Sequence, residues 1–276
     1  MPTTRGLELL ETLDLHGALT VTEVARLTGH DKSWVSRIVS ACESDGWVVR
    51  EQGRIALGPR AALLAYGSAA GELIRRAQPL VEALAGVTGL TAQAYGLVGR
   101  HATVLAAAAG RSGPPASVGV GMSTSLVATA AGQVIAAQLD PAILERLLPP
   151  DPFPNPLAEL LANPGYRAFA SGRLAALPEL TRAQPAVPRS RSELRAVLAA
   201  VSERGAAIDE GDLHPQIGCI AVPWYGSGDV TALTCMGSPA EIVATAGLAR
   251  TVLAAAAAPG ATREEIVSAA AYSLAP

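Results

Sequence analysis

The chain has 276 residues, half of them hydrophobic and 16% charged, enough apolar surface to bury one large core or two of ordinary size. That composition excludes extended disorder. A formal net charge of −3 gives no protein-wide electrostatic reason to bind nucleic acid, so any such function rests on a local patch.

Three cysteines, Cys42, Cys219 and Cys235, occur in no paired spacing, and the histidines His16, His30, His101 and His214 are scattered. The pattern points to a reducing, cytoplasmic setting with no metal and no cofactor motif. Charges at Arg5, Glu8, Glu11 and Asp14 argue against a signal peptide. The long uncharged run at residues 112–139 contains Pro114, Pro115 and several glycines, which suits a buried core segment better than a membrane span.

In chain order, "GLELLETLDLHG" predicts a helix with Leu7, Leu10 and Leu13 on its inner face and Glu8, Glu11 and Asp14 outside, ended by Gly17. "LTVTEVARLTGH" predicts a second helix opened by Thr20 with Glu23 at the capping-box spacing, carrying Val24, Ala25 and Leu27 inward and closed by Gly29. Asp31 is the predicted N-cap of a third helix. There Val35, Ile38, Val39 and Cys42 repeat as a buried stripe, and Ser33, Ser36, Arg37 and Ser40 occupy the opposite face. Small hydroxyls let a helix approach a groove closely, while a guanidinium reaches base edges or phosphates. "WVVREQGRIALG" then alternates as two strands about Glu51-Gln52-Gly53, with Arg50 and Arg54 near the tip.

Helix, helix–turn–helix and ribbon is the order of a winged helix-turn-helix domain, against the alternative of a three-helix bundle with a merely solvated polar face. Seven basic and eight acidic side chains leave residues 1–67 at a net −1, so DNA binding is expected to be modest, salt-dependent and reliant on a dimer.

The connector that follows reads as helix through Ala62, Leu63, Tyr66, Leu73, Leu80 and Leu84, interrupted at Gly67-Ser68, at Gly71 and at Pro79. "LTAQAYGLVGRHATVLAAAAG" predicts a hairpin turning at Gly99-Arg100. "TSLVATAAGQVIAAQLDP" predicts an apolar helix. A loop bearing Arg182 and Arg189 leads to a helix capped by Ser190 and Glu193, and these arginines, with Arg191 and Arg195, read as a solvated segment. Strand, loop, strand, hairpin and strand follow across residues 206–239, then a final helix, which makes the second domain α+β.

These residues resemble the IclR family of transcriptional regulators. The resemblance is carried by the Thr-initiated second helix, the Lys-Ser-x-Val-x-Arg of the third helix, the turn into the wing and the closing Leu-Gly-Pro-Arg. Farther on, "ATAAGQVIAAQL", "GAAIDEGD" and "CIAVP" carry it. It implies a winged helix-turn-helix domain over residues 1–60, a linker helix over 61–75 around which two copies pair, and an effector-binding and oligomerisation domain over 76–276. The last is implied to be GAF- or profilin-like, with a six-stranded antiparallel sheet. The implied DNA-contacting residues are Thr20, Lys32, Ser33, Trp34, Ser36, Arg37 and Arg54. The implied effector site takes Ala130 and Ala131 as amide donors, Asp209 and Cys219 as polar wall, and Thr234 and Met236 from the last strand.

Trp34 stands where the family usually has a small Thr, and either packs under the wing or abuts the sugar-phosphate backbone. Ser36 replaces an aromatic or His. In the effector domain, Met236 replaces a frequent hydroxyl and Leu126-Val127 the usual Leu-His, which points to a more apolar effector or to a self-filled pocket.

The expected function is that of a cytoplasmic, non-enzymatic regulator, a repressor ahead of an activator. It would bind operator DNA as a dimer or tetramer under the control of a small effector, without membrane attachment. Two alternatives stay open at this point: the same fold working without a ligand, and a thiol hydrolase using Cys219, His214 and Asp209.

Overall fold

The computed structural model describes residues 2–111, 119–154 and 187–273. It divides into two units, Met1–Glu72 and Leu73–Pro276. The first part of the uncharged run and the Arg182 loop lie outside the described residues.

In the first unit, α1 (Pro2–His16), α2 (Val21–Thr28) and α3 (Lys32–Ser44) surround a small core closed by the antiparallel ribbon β1 (Val48–Glu51) and β2 (Arg54–Leu57). The inner face of α1 differs from the expected one. Leu9 and Leu13, four residues apart, are almost fully buried, whereas Leu7 is exposed. A run of closely spaced leucines offers several helical phases, and packing against α2 and α3 selects among them. The capping box of α2 forms as expected, with Thr20 Oγ1 accepting from the Glu23 N–H at 3.2 Å and the Glu23 carboxylate accepting from the Thr20 N–H at 2.7 Å. Leu27 of that helix is exposed rather than inward.

Asp31 caps α3 by accepting from the Trp34 N–H at 2.8 Å. Val35 and Val39 are fully buried, with Ile38 and Cys42 packed beside them, so the predicted stripe is present. The ribbon turns at Gln52-Gly53 with φ of 51° and 78°, the paired left-handed conformation a two-residue hairpin turn requires. Residues 19 and 55 form a further bridge that ties the wing to the start of α2. At Gly58 a Cβ would lie 2.3 Å from the Gly46 carbonyl oxygen, so only glycine lets the ribbon pass into α4 (Pro59–Tyr66) at this distance.

The connector breaks at Gly67-Ser68 as expected, but α5 (Ala69–Thr88) then runs unbroken through both Gly71 and Pro79. Burial of Leu73, Ala77, Leu80, Val81 and Leu84 along one side outweighs the glycine's entropy and the proline's missing donor.

The second unit is built on a six-stranded antiparallel sheet ordered β5-β4-β3-β8-β7-β6. Its strands are β3 (Thr91–Val98), β4 (His101–Ala108), β5 (Ser123–Thr124), β6 (Ala207–His214), β7 (Ile217–Pro223) and β8 (Thr231–Gly237). β3 and β4 form the predicted hairpin about Gly99-Arg100. Period-2 alternation sends Ala92, Ala94, Ile220, Val222, Leu233 and Cys235 to one face, under α5, α9 (Pro239–Ala257) and α10 (Arg263–Ser273). Tyr95, Val104, Ala221, Ala232 and Met236 point to the other, under α6 (Ala130–Ala137) and α8 (Arg191–Arg204). The short α7 (Pro141–Leu147) precedes the latter, and Ser190 caps it through the Glu193 N–H as predicted.

By length and composition α9 would span a membrane. Its Ile242, Ala249, Val252 and Leu253 are buried with the sheet and α10 while Val243 is exposed, so one face of the helix packs on the core. The sequence reading ended the chain at α9; α10 continues it, burying Ile266 and Ala270.

Candidate functional site

Two groups of residues stand out, one on each unit. On the first, α3 separates its faces sharply: Lys32, Ser33, Ser36, Arg37 and Ser40 are exposed, opposite the buried Val35 and Val39. Among the described residues, neither Lys32 nor Arg37 makes a hydrogen bond or ion pair, so both cations are available. Asp31 lies at the entry to this face. The Ser33 hydroxyl, donating at 2.5 Å, and then the Trp34 N–H hold its carboxyl below the usual range. The positive end of α3 is therefore already occupied by a carboxylate, which leaves the side chains rather than the helix terminus to meet an anion.

The other candidate residues of this unit are held by local structure. The Thr20 hydroxyl is engaged in the capping box. Arg54 donates from Nε and Nη2 to the Ala18 carbonyl at 3.0 and 2.7 Å, with Glu23 3.4 Å from Nη2. Its side chain stays about half exposed while bracing the wing. Trp34 packs towards α1: its ring lies 4.4 Å from that of His30 and beneath the Arg5 guanidinium at 5.5 Å, and His30 Nε2 is 2.9 Å from Glu8. The tryptophan near the base of the ribbon is Trp47, covered by Arg60 at 4.9 Å. Arg5 and His30 were not singled out from the sequence, since nothing in their spacing links them to residue 34.

On the second unit, cross-strand register gathers the wall residues. Asp209 faces Cys219, Cys219 faces Met236, and one step along Ala221 faces Thr234, which faces Gln93. Ala130 and Ala131 are buried in the first turn of α6 on the same face. Thr129 caps that helix through the Gly132 N–H at 3.1 Å, and the first intrahelical bond runs from the Gln133 N–H to the Thr129 carbonyl. The amides of Ala130 and Ala131 are thus first-turn donors with no intrahelical partner. A Cβ on Gly132 would fall 2.1 Å from the Ser125 carbonyl oxygen, so the glycine allows α6 to seat directly on the 125–128 segment.

Asp209 accepts from the N–H groups of Gly211 and Asp212 at 2.9 and 2.6 Å, closing the irregular turn in β6. Burial nevertheless raises its pKa to about 6, these bonds only partly opposing it. Burial also pushes the Cys219 thiol well up, with the Asp209 carboxylate adding to the effect. A thiol shifted in this direction ionises less readily, which counts against Cys219 as the nucleophile of the hydrolase alternative. His214 ends β6 opposite Ile217.

Sequence reading missed two polar groups on this face. Gln93 and Tyr95 are both buried, and the Tyr95 hydroxyl donates to Gln93 Oε1 at 2.8 Å. Their signal was present: Thr91, Gln93 and Tyr95 alternate along β3 at the period of one sheet face.

A MarR family model matches residues 7–54, the winged-helix portion. No curated protein sequence matches the chain. Among solved structures, an IclR homolog from Microbacterium hydrocarbonoxydans, complexed with 4-hydroxybenzoate, is similar at 21% identity and TM-score 0.70, covering 97% of this chain and 98% of that one. An IclR transcriptional regulator from Alicyclobacillus acidocaldarius is similar at 20% identity and TM-score 0.60, over 99% and 96%. The Thermotoga maritima IclR is similar at 18% identity and TM-score 0.59, over 97% of each. The chain therefore has the two-domain fold of the IclR regulators, a winged-helix module followed by a domain on a six-stranded antiparallel sheet.

Proposed function

We propose that the chain is a cytoplasmic, homodimeric transcriptional regulator, a repressor ahead of an activator, with no catalytic role. Lys32, Ser33, Ser36 and Arg37 of α3 enter the major groove of operator DNA, and the half-exposed side chain of Arg54 meets phosphate beside Thr20. The observation that carries this reading is the division of α3 into an apolar buried face and an exposed face of hydroxyls with two cations that, among the described residues, make no hydrogen bond or ion pair.

Pairing of two copies runs through the connector, residues 61–75. Leu63, Leu64 and Tyr66 of α4 are 70%, 67% and 66% exposed, a density of large apolar side chains that fits a protein partner better than water.

The effector is a small carboxylic acid with an apolar body. Its carboxylate meets the amides of Ala130 and Ala131 at the positive end of α6, and its body lies along Met236, Thr234, Cys219 and Asp209. The 4-hydroxybenzoate held by the Microbacterium homolog is a molecule of this kind. Binding shifts the arrangement of the paired copies and with it the spacing of the two α3 helices.

Fluorescence anisotropy on labelled fragments of the intergenic DNA beside its own gene tests the reading. Wild type and Arg37→Ala are titrated at several salt concentrations, with and without 4-hydroxybenzoate and related acids. Sequence-selective binding that is lost in Arg37→Ala supports a regulator. Equal binding to every fragment, by both proteins, refutes it.

A further inference from the structure

We propose that Gln138, the turn at Trp224–Thr231 and Arg76 form a relay that ties the effector helix α6 to α5, making Gln138 and Arg76 positioning residues of the response. The inference rests on the reading of the chain as an effector-responsive regulator.

The relay begins at the far end of α6. Gln138 is the C-cap of that helix, and its Nε2 donates both to the Val134 carbonyl at 3.0 Å and to the Thr231 carbonyl at 2.9 Å. The same Thr231 carbonyl accepts from the Trp224 N–H at 3.2 Å, closing the turn that joins β7 to β8. Hydroxyls lock the turn from within. Ser227 Oγ donates to the Trp224 carbonyl at 2.8 Å, and Thr231 Oγ1 lies 2.6 Å from Ser227 Oγ. It has little slack, because a Cβ on Gly226 would lie 2.7 Å from the Ala258 carbonyl oxygen.

Arg76 of α5 grips the other side. Its guanidinium donates to the carbonyls of Gly226 and, at 3.2 Å, Ser227, and stands 5.8 Å over the buried Trp224 ring.

The geometry suits transmission for two reasons. α6 is only eight residues long, so a shift at Ala130 is carried to Gln138 as a rigid-body movement over roughly 12 Å. The strands bearing Cys219 and Thr234 also meet at this turn, β7 ending at Pro223 and β8 beginning at Thr231. Both elements that border the effector face therefore converge on the turn at Trp224–Thr231, of which Arg76 holds the Gly226 and Ser227 carbonyls. From Arg76, α5 continues without a break back to Ala69, within the unit that carries the winged helix. A contiguous network becomes a pathway only if one end responds to the other, and that is measurable.

Hydrogen exchange on the full chain, without DNA or effector, provides the test. Thr129→Val removes the N-cap of α6 while keeping its volume. It is expected to speed exchange of the amides at residues 73–78 and 80 about fivefold, the effect of losing one net hydrogen bond. In a Gln138→Met background the same substitution still frays α6 but leaves these amides no faster than Gln138→Met alone. Arg76→Gln severs the relay from the other side and is expected to give the same block, which keeps the test available should Gln138→Met not fold. A merely structural role for either residue predicts additive effects. Additive effects in both backgrounds, or no response of these amides to Thr129→Val in the wild type, overturn the relay. Operator binding by the wild type is measured separately: its absence sinks the regulator reading, whereas the exchange data judge the relay alone.

Discussion

Arg37→Ala separates recognition from stability, because among the described residues this side chain has only a weak, solvent-exposed electrostatic attraction to Asp31 in the free protein. It is exposed, and among the described residues it makes no hydrogen bond or ion pair. Alanine is at least as good a helix former, so the folded state should change by less than about 0.5 kcal/mol. A guanidinium reading a base edge contributes about 1–3 kcal/mol per half-site, and two copies on a twofold operator would lose about 2–6 kcal/mol. That corresponds to a fall in affinity from roughly thirtyfold to beyond ten-thousandfold.

Arg54→Ala is the internal control. That side chain holds the Ala18 carbonyl through two donors, so its loss should cost about 1 kcal/mol of stability, discounted for its exposure. Thermal unfolding and operator anisotropy on both variants decide the matter. The reasoning fails if Arg37→Ala unfolds like Arg54→Ala, or if it binds the operator as the wild type does.

Three further outcomes follow from the geometry. Gly132→Ala places a Cβ 2.1 Å from a backbone oxygen and should destabilise the second unit by about 1–3 kcal/mol, read as a lower Tm; an unchanged Tm would mean α6 can shift freely. Asp209 has a folded pKa of about 6 against an ordinary value of 3.8, so folding favours its protonated form. Its contribution is complete below pH 3.8 and is lost as pH rises through 6, on the order of 2–3 kcal/mol. Asp209→Asn keeps an acceptor for the Gly211 and Asp212 amides and should flatten stability across that window, which urea titrations at several pH values would check. Leu63→Glu with Leu64→Glu should leave the Tm of the first unit within about 0.5 kcal/mol equivalents yet convert dimers to monomers in sedimentation. Persistent dimers would place the pairing surface elsewhere.

What was legible in the sequence was mostly local chemistry. Thr20 with Glu23, Asp31 before α3, Gln52-Gly53 in the wing and Ser190 with Glu193 each bond within a few residues, so their spacing alone encodes them. Choices made by distant packing were not legible. Leu9 rather than Leu7 faces inward because α2 and α3 fix the phase of α1. α5 passes Gly71 and Pro79 because the sheet supplies a surface that outweighs local propensity. In the candidate effector site, the identities of Asp209 and Cys219 were readable but their state was not. The Asp209 carboxyl is bound by its own turn and its pKa pushed up to about 6 by burial, and that depends on which strands lie beside it. The Arg76 contact to residues 226 and 227 spans 150 positions and has no local signature at all.

If the chain is the dimeric regulator proposed above, the distribution of charge would make one copy of its winged helix a poor DNA-binding protein and two a workable one. The first unit carries slightly more acid than base, and several of its cations are committed internally. Arg50 faces Glu43 at 3.5 Å, Arg54 serves Ala18 and Glu23, and Arg60 donates to the Asp45 carbonyl while covering Trp47. Lys32 and Arg37 remain on α3. A protein that neutralises few phosphates gains little from counterion release and so holds non-specific DNA weakly at physiological salt. Weak background binding is an advantage for a regulator whose output must change, because affinity then depends on both α3 helices finding their half-sites together. In that arrangement a movement of the connector that altered their separation would forfeit one of the two contacts and leave one too weak to hold. On the proposed function, the sparse cations of α3 and the exposed leucines of α4 would act as one device: low affinity per copy would make the response depend on how the copies are paired.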